Sequence, residues 1–134
     1  MSVFTSRVST KAAAFKKNRA DMLALVEKLR ELNARGPAIS SRKQARFEAR
    51  GQLLPRERLA RLLDPGMPFL EIGNLAGYLA DNQEEDKSIP GSTVISGIGF
   101  VNGVRSVVVV DDSGIQAGAM TFGGGYRIKR SEEI

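Results

Sequence analysis

Apolar positions recur at helical spacing through the first half of the chain and alternate or run together in the second. Ser9 and Thr10 are suitable helix N-caps, and no Gly or Pro follows them until Gly36-Pro37. Within that stretch Phe15, Met22 and Leu29 fall seven apart, with Leu25, Val26 and Leu32 beside them. One apolar stripe results, with Lys16, Lys17, Glu27, Lys28 and Arg30 around it, which predicts a docking helix ending at Gly36-Pro37. A second helix is expected from Ser40 or Ser41 to Gly51, a suitable residue just past a helix end. A third opens at Pro55, with Leu59, Leu62 and Leu63 inward, Arg56, Arg58 and Arg61 outward, and Asp64-Pro65-Gly66 stopping it.

The period then changes. Phe69 to Ile72 predicts a short strand, and residues 82–91 a polar, mobile loop. Thr93 to Val101 and Val104 to Val110 are β-rich runs joined by Asn102-Gly103, the strongest two-residue hairpin signal. Val107 to Val110 is apolar on both faces, as a buried central strand would be. Gly97 and Gly99 should bulge or flatten the preceding strand, or admit another backbone closely. After Asp111-Asp112 come Gly114, Gly118 and Gly123-Gly124-Gly125, and a polar helix is expected from Tyr126. The strand has few partners here and the last helix stops at Ile134, so the chain reads as a fragment.

Charge and composition narrow the chemistry. Cysteine and histidine are both absent, which removes disulfides, thiolate zinc sites, a Cys nucleophile and the commonest general base. No apolar run has membrane-spanning length, and residues 1–10 lack a secretory h-region, so a soluble protein is expected. The Arg-bearing, acid-free start has the character of a short mitochondrial presequence. Residues 1–63 hold fifteen Lys/Arg against five Asp/Glu, whereas residues 64–134 hold five against ten. A basic arm of this kind suits phosphates or an acidic partner, and a solvated helical face accounts for it equally. No aromatic platform, RNP-like motif or zinc knuckle accompanies the cations, so nucleic acid is not an expected partner. Asp111-Asp112 ends a strand where α/β proteins place functional groups, or simply opens a loop. The glycine cluster ahead of Arg127, Lys129 and Arg130 is either an anion site or a set of tight turns. It is neither a Walker A loop nor a dinucleotide fingerprint.

Several segments, taken in order, resemble one family. They are Arg46-Phe47-Glu48-Ala49-Arg50-Gly51, Leu53-Leu54-Pro55-Arg56-Glu57-Arg58, Leu62-Leu63-Asp64-Pro65-Gly66, Phe69-Leu70-Glu71 and Gly97-Ile98-Gly99 with Val101-Asn102-Gly103. The valine strand ending at Asp111, the Ala117-Gly118 turn, Arg130 and Glu133-Ile134 continue the series. Together they resemble the carboxyltransferase β subunits of biotin-dependent propionyl-, methylcrotonyl- and geranyl-CoA carboxylases over residues 42–134. Phe69-Leu70-Glu71 with Leu75-Ala76-Gly77-Tyr78 is nearer the methylcrotonyl/geranyl branch.

The resemblance implies an α/β fold, α+β within this stretch. N-terminal helices (residues 1–66) precede the first strands of an incomplete crotonase-like ββα-spiral domain (residues 67–134). It implies transfer of a carboxyl group from carboxybiotin, carried on a partner subunit or domain, to the α-carbon of an acyl-CoA. In that family backbone N–H pairs in oxyanion holes stabilise the enolates. Those holes follow strands beyond Ile134, so no catalytic residue and no metal ligand is assigned. Acyl-CoA contacts are expected at Gly118, Ala119, Arg127, Lys129 and Arg130. Ala117-Gly118 stands where relatives have Gly-Gly, and Tyr126-Arg127 where many have paired lysines. Expected partners are acyl-CoA, a biotin carboxylase or biotin-carrier subunit, and further copies of the same subunit. The expected location is bacterial cytoplasm, with the mitochondrial matrix second. The chain alone is expected to be inactive. The alternative is a non-catalytic CoA-binding or helical interaction module.

Overall fold

A computed structural model describes residues 5–134. The chain divides into two compact units, residues 1–31 and 32–134. Helix α1 (Ala13–Ser41) supplies most of the described part of the first unit and the opening of the second. Within the first unit the predicted stripe is bare: Met22, Leu25 and Leu29 are exposed, while Phe15 and Val26 are half-buried. Lys17 pairs with Asp21 at 2.6 Å, one turn apart on the same face.

The second unit begins inside α1, because the helix does not end at Gly36-Pro37. Pro37 lies within it, although a proline there removes a backbone hydrogen bond and crowds the preceding turn. Tertiary anchors on the same turns offset that cost. The Arg35 guanidinium donates to the Ser88 carbonyl at 3.0 Å and also to the Glu85 carbonyl. A Cβ on Gly36 would stand 3.2 Å from the Pro90 carbonyl oxygen, so the helix approaches that backbone closely at glycine. The buried Ser40 hydroxyl donates to Asp112 at 2.6 Å.

Helix α2 (Gln44–Glu48) is shorter than expected. It closes with Gly51 in the left-handed region and the Gln52 N–H returning to the Phe47 carbonyl at 2.9 Å, a Schellman-type end. Helix α3 (Pro55–Leu62) starts as predicted at Pro55, and Glu57 reaches back to accept from the Leu54 N–H at 2.9 Å. Its inward face is Leu59 and Leu63; Leu62 points outward and is exposed. Helix α3 packs on the sheet, and the Asp64 N–H bonds the Phe100 carbonyl at 2.9 Å.

The sheet is antiparallel, in the order β1 (Leu70–Glu71), β2 (Val94–Val101), β3 (Val104–Asp111). The hairpin forms in the register its turn predicts, Val101 opposite Val104 and Val94 opposite Asp111, without a bulge. Asp64 fastens the turn from outside, accepting from the Asn102 and Gly103 N–H groups at 2.7 Å each. Gly97 and Gly99 serve close approach. A Cβ on the first would meet the Leu70 carbonyl at 2.5 Å, and on the second Leu63 Cδ2 at 2.6 Å. The core is Leu59, Ile95 and Val108, with Leu63, Phe69, Val101 and Val110 against it.

Two expectations are corrected here. β3 is an edge strand, not a central one, and leaves Val107 and Val109 exposed because nothing in the described chain covers that face. Residues 82–91 form an exposed polar loop over 83–87 only. Ser88 is fully buried and accepts from the Leu79 N–H at 2.7 Å, and Pro90 and Gly91 are buried beside it.

Candidate functional site

Helix α4 (Phe122–Glu132) starts four residues earlier than expected and takes the glycine triplet into its first turn. Glycine is a poor helix former, but packing requires it here. A Cβ on Gly123 would collide with the backbone of Gly77 and the Ser92 hydroxyl, and one on Gly124 would crowd Thr93 and Thr121 Oγ1 at 3.2 Å. Thr121 is the N-cap, its Oγ1 accepting from the Gly124 N–H at 3.1 Å.

The Gly123 N–H donates to Asp81 Oδ1 at 2.8 Å, while Asp81 Oδ2 accepts from the Ser92 hydroxyl at 2.5 Å. A carboxylate at a helix N-terminus is favoured by both the free N–H groups and the helix dipole. The anion position offered by the glycine cluster is therefore occupied by the protein's own Asp81. The sequence reading missed this residue, which lies 42 positions upstream of Gly123.

Arg127, expected to face acyl-CoA, points into the protein and is 3% exposed. Its Nε donates to the Ile72 carbonyl at 2.7 Å and Ser96 Oγ at 3.2 Å. Its Nη1 donates to the carbonyls of Gly91, at 3.1 Å, and Val94. Its Nη2 pairs with Glu71 at 2.9 Å. Every nitrogen of the fork is engaged, and the guanidinium joins α4 to β1, β2 and the Gly91 turn. Glu71 also takes a two-bond contact from Arg56 at 2.8 and 3.0 Å, the geometry that makes Arg–carboxylate pairs strong.

Burial pushes the Glu71 carboxyl up, but hydrogen bonds and charge from Arg56 and Arg127 outweigh it and hold the group below its ordinary value. Burial likewise pulls the Arg127 guanidinium down, and Glu71 opposes that shift. A carboxyl whose folded-state pKa is depressed contributes stability above its unfolded value, near 4.3, and loses it as pH falls through the folded value. Stability should therefore decline through the acid range below about pH 4.3. Glu71→Gln should flatten that limb while lowering the plateau, read from urea unfolding midpoints at several pH values. An unchanged acid limb in the variant would remove Glu71 from the account.

The remaining expected contacts lie elsewhere on the surface. Gln116, Ala117 and Gly118 take consecutive left-handed conformations, forming a tight turn that leads into Ala119. Gly118 is half-buried and Ala119 exposed. Lys129 is exposed on the outer face of α4, where Phe122 and Tyr126 meet edge to face at 4.7 Å. Arg130 is exposed and pairs with Glu133 at 3.2 Å. The structure thus gathers Gly118 and Ala119 in one turn, puts Lys129 and Arg130 on solvent-exposed α4, and withdraws Arg127. Asp111 is exposed, whereas Asp112 is buried and accepts from Ser40 and the Gly114 N–H, at 3.0 Å for the latter. Asp112 is thereby a structural clasp on α1.

No group of three or more His, Cys, Asp or Glu side chains could hold a metal ion among the described residues, and no described helix is long and apolar enough to cross a membrane. Buried polar side-chain atoms without partners are Asn33 Oδ1, Arg56 Nε and Asn74 Oδ1, and none belongs to a residue lining the cavities described here.

With helices leading into an antiparallel hairpin and a glycine-packed helix behind it, the chain matches the model of the carboxyl transferase domain over residues 46–134, and it belongs to that family. Its α/β fold is that of the first strands of a crotonase-like carboxyltransferase domain, preceded by helices. The chain is 47% identical over 79 residues to the biotin-dependent 3-methylcrotonyl-coenzyme A carboxylase beta1 subunit of Mycobacterium tuberculosis, covering 59% of this chain and 14% of that protein. It is 35% identical over 118 residues to a probable mitochondrial methylcrotonoyl-CoA carboxylase beta chain of Drosophila melanogaster, covering 87% and 20%. Among solved structures, the beta subunit of P. aeruginosa geranyl-CoA carboxylase superposes with a TM-score of 0.84 at 38% identity, over 97% of this chain and 24% of that one. Transcarboxylase 12S, described as a hexamer, gives 0.68 at 25% identity over 84% and 22%. The chain thus spans between about a seventh and a quarter of the length of these relatives.

Proposed function

We propose that the chain serves within a carboxyltransferase β subunit of a biotin-dependent acyl-CoA carboxylase. That enzyme transfers a carboxyl group from carboxybiotin to the α-carbon of an acyl-CoA. The observation carrying this reading is the superposition on the geranyl-CoA carboxylase beta subunit over nearly the whole chain, with 38% identity. The methylcrotonyl and geranyl relatives favour a branched, unsaturated acyl group. Biotin would arrive on a partner subunit or carrier domain. The bare stripe of α1 in residues 13–31 would pack on a neighbouring subunit of a homo-oligomer, and the location would be bacterial cytoplasm or, second, the mitochondrial matrix.

Within this subunit the described residues act as entrance and scaffold. The 116–119 turn and the outer face of α4, with Lys129 and Arg130, lie toward acyl-CoA. Arg127 supports them from behind by holding α4 on the sheet. The test uses the complete polypeptide of the gene, co-expressed with its biotin carboxylase subunit. ATP-dependent incorporation of labelled bicarbonate into 3-methylcrotonyl- or geranyl-CoA is expected. The 134-residue chain by itself should incorporate none. Absence of label with every acyl-CoA tried, despite a biotinylated and folded assembly, would overturn the reading.

A further inference from the structure

A second cluster of cations lies on and beside α2, outside the expected site. Residues 42–50 carry Arg42, Lys43, Arg46 and Arg50 against a single carboxylate, Glu48, and that carboxylate is taken by the Gln44 amide at 2.8 Å. Arg46 stands on α2 and Arg50 in the turn that follows it. Neither side chain has a hydrogen-bond or ion-pair partner among the described residues. They line a cavity of about 100 Å³ together with Phe47, Gln52, Ser113 and Ala117. That volume suits a tetrahedral oxyanion and is too small for a nucleotide.

Local structure explains how the wall is made. The Schellman-type end at Gly51 turns the chain back and brings Gln52 beside Phe47. Across the cavity, Ser113 follows the buried Asp112 clasp, and Ala117 belongs to the left-handed turn that leads to Gly118 and Ala119. Two arginines, a glutamine and a serine line one small space with no carboxylate among the lining residues. Guanidinium forks match the oxygens of phosphate groups and bind them with charge-assisted hydrogen bonds.

We propose that Arg46 and Arg50, with Gln52 and Ser113, form a binding site for a phosphate group, occupied by a phosphate of acyl-CoA. The identity of the occupant rests on the carboxyltransferase reading; the oxyanion site does not. Because Ala117 lines the cavity and the next two residues are the expected acyl-CoA contacts, the ligand would run from the cavity along the 117–119 turn.

The test is calorimetric titration of the chain with pyrophosphate, with CoA and with 3′-dephospho-CoA, in wild type and in the Arg46→Gln/Arg50→Gln double variant. Both arginines are exposed, so the variant should keep its circular dichroism melting curve. Loss of both should weaken CoA binding at least about tenfold, as expected for charge-assisted bonds to phosphate. It should also abolish pyrophosphate binding and reduce the salt dependence of both. An equal loss with 3′-dephospho-CoA would place the pyrophosphate in the cavity; no loss with it would place the 3′-phosphate there, and either supports the site. Arg58→Gln/Arg61→Gln removes the same charge from α3 and should leave affinity unchanged. Equal weakening by that control, or CoA binding indifferent to Arg46 and Arg50, would overturn the site. Pyrophosphate binding that needs Arg46 and Arg50, in a chain that ignores CoA in every form, would support the site and overturn the acyl-CoA reading.

Discussion

Replacing Arg127 by methionine should cost the 32–134 unit about 3–5 kcal/mol, the usual effect of removing one partner from a buried ion pair. The methionine refills much of the volume, so the loss reports polar groups rather than a cavity. The carbonyls of Ile72, Gly91 and Val94 all lose a donor, and a buried acceptor left unpaired costs about 1–3 kcal/mol. Glu71 retains Arg56, which limits the damage on that side. Lysine should not rescue the fold, because a compact ammonium cannot reproduce a fork directed at three carbonyls, a hydroxyl and a carboxylate. In urea unfolding the midpoint should fall by roughly 2 M at a slope of about 2 kcal/mol/M. A small domain holds only about 5–15 kcal/mol in all, so the variant should be close to unfolded at rest. A shift below about 0.5 M would mean that water replaces the guanidinium and that the site is less closed than its burial indicates.

The glycine triplet should give opposite results two residues apart. Alanine at Gly123 puts a methyl group into the Gly77 backbone and the Ser92 hydroxyl, with Asp81 held between them. Overpacking against backbone that cannot retreat costs about 1–3 kcal/mol or more. Alanine at Gly125 meets nothing within 4 Å, since that position faces open space on the same helix. There the substitution should stabilise by up to about 1 kcal/mol, the difference in helix propensity between the two residues. Thermal unfolding of the two single variants separates them by sign. If both destabilise, the triplet is not helical; if both stabilise, α4 does not press on the Gly77 turn.

These two sites also mark the limit of what the sequence reveals. The hairpin was legible because its turn chemistry and alternation are local, and α3 because Pro55 and Glu57 sit within one turn of its start. Gly36-Pro37 and Gly123-Gly124-Gly125 misled for one reason. Both are locally unfavourable to a helix, and both are overridden by backbones that pack on them from far along the chain, at Pro90 and Gly77. Nothing local to Arg127 shows that its partners are carbonyls, since carbonyls carry no residue identity. Its place after a glycine run reads equally as an anion site. Asp81 was hidden among other acidic residues of a polar stretch. The family resemblance, in contrast, followed the ordered segments from Arg46 to Glu133-Ile134 and did not depend on knowing what Arg127 touches.

The connections of Arg127 also carry a consequence for synthesis. Its partners precede it by 31, 33, 36, 55 and 56 residues. As the chain leaves the ribosome, the β2–β3 hairpin needs only a two-residue turn to close and can form while α4 is still in the exit tunnel. The carbonyls at Ile72, Gly91 and Val94 stay hydrated until then. Arg127 emerges after all of them and supplies donors to each at once, so α4 locks the sheet as a keystone does an arch. A pause in translation before residue 127 would hold the sheet assembled and unlocked.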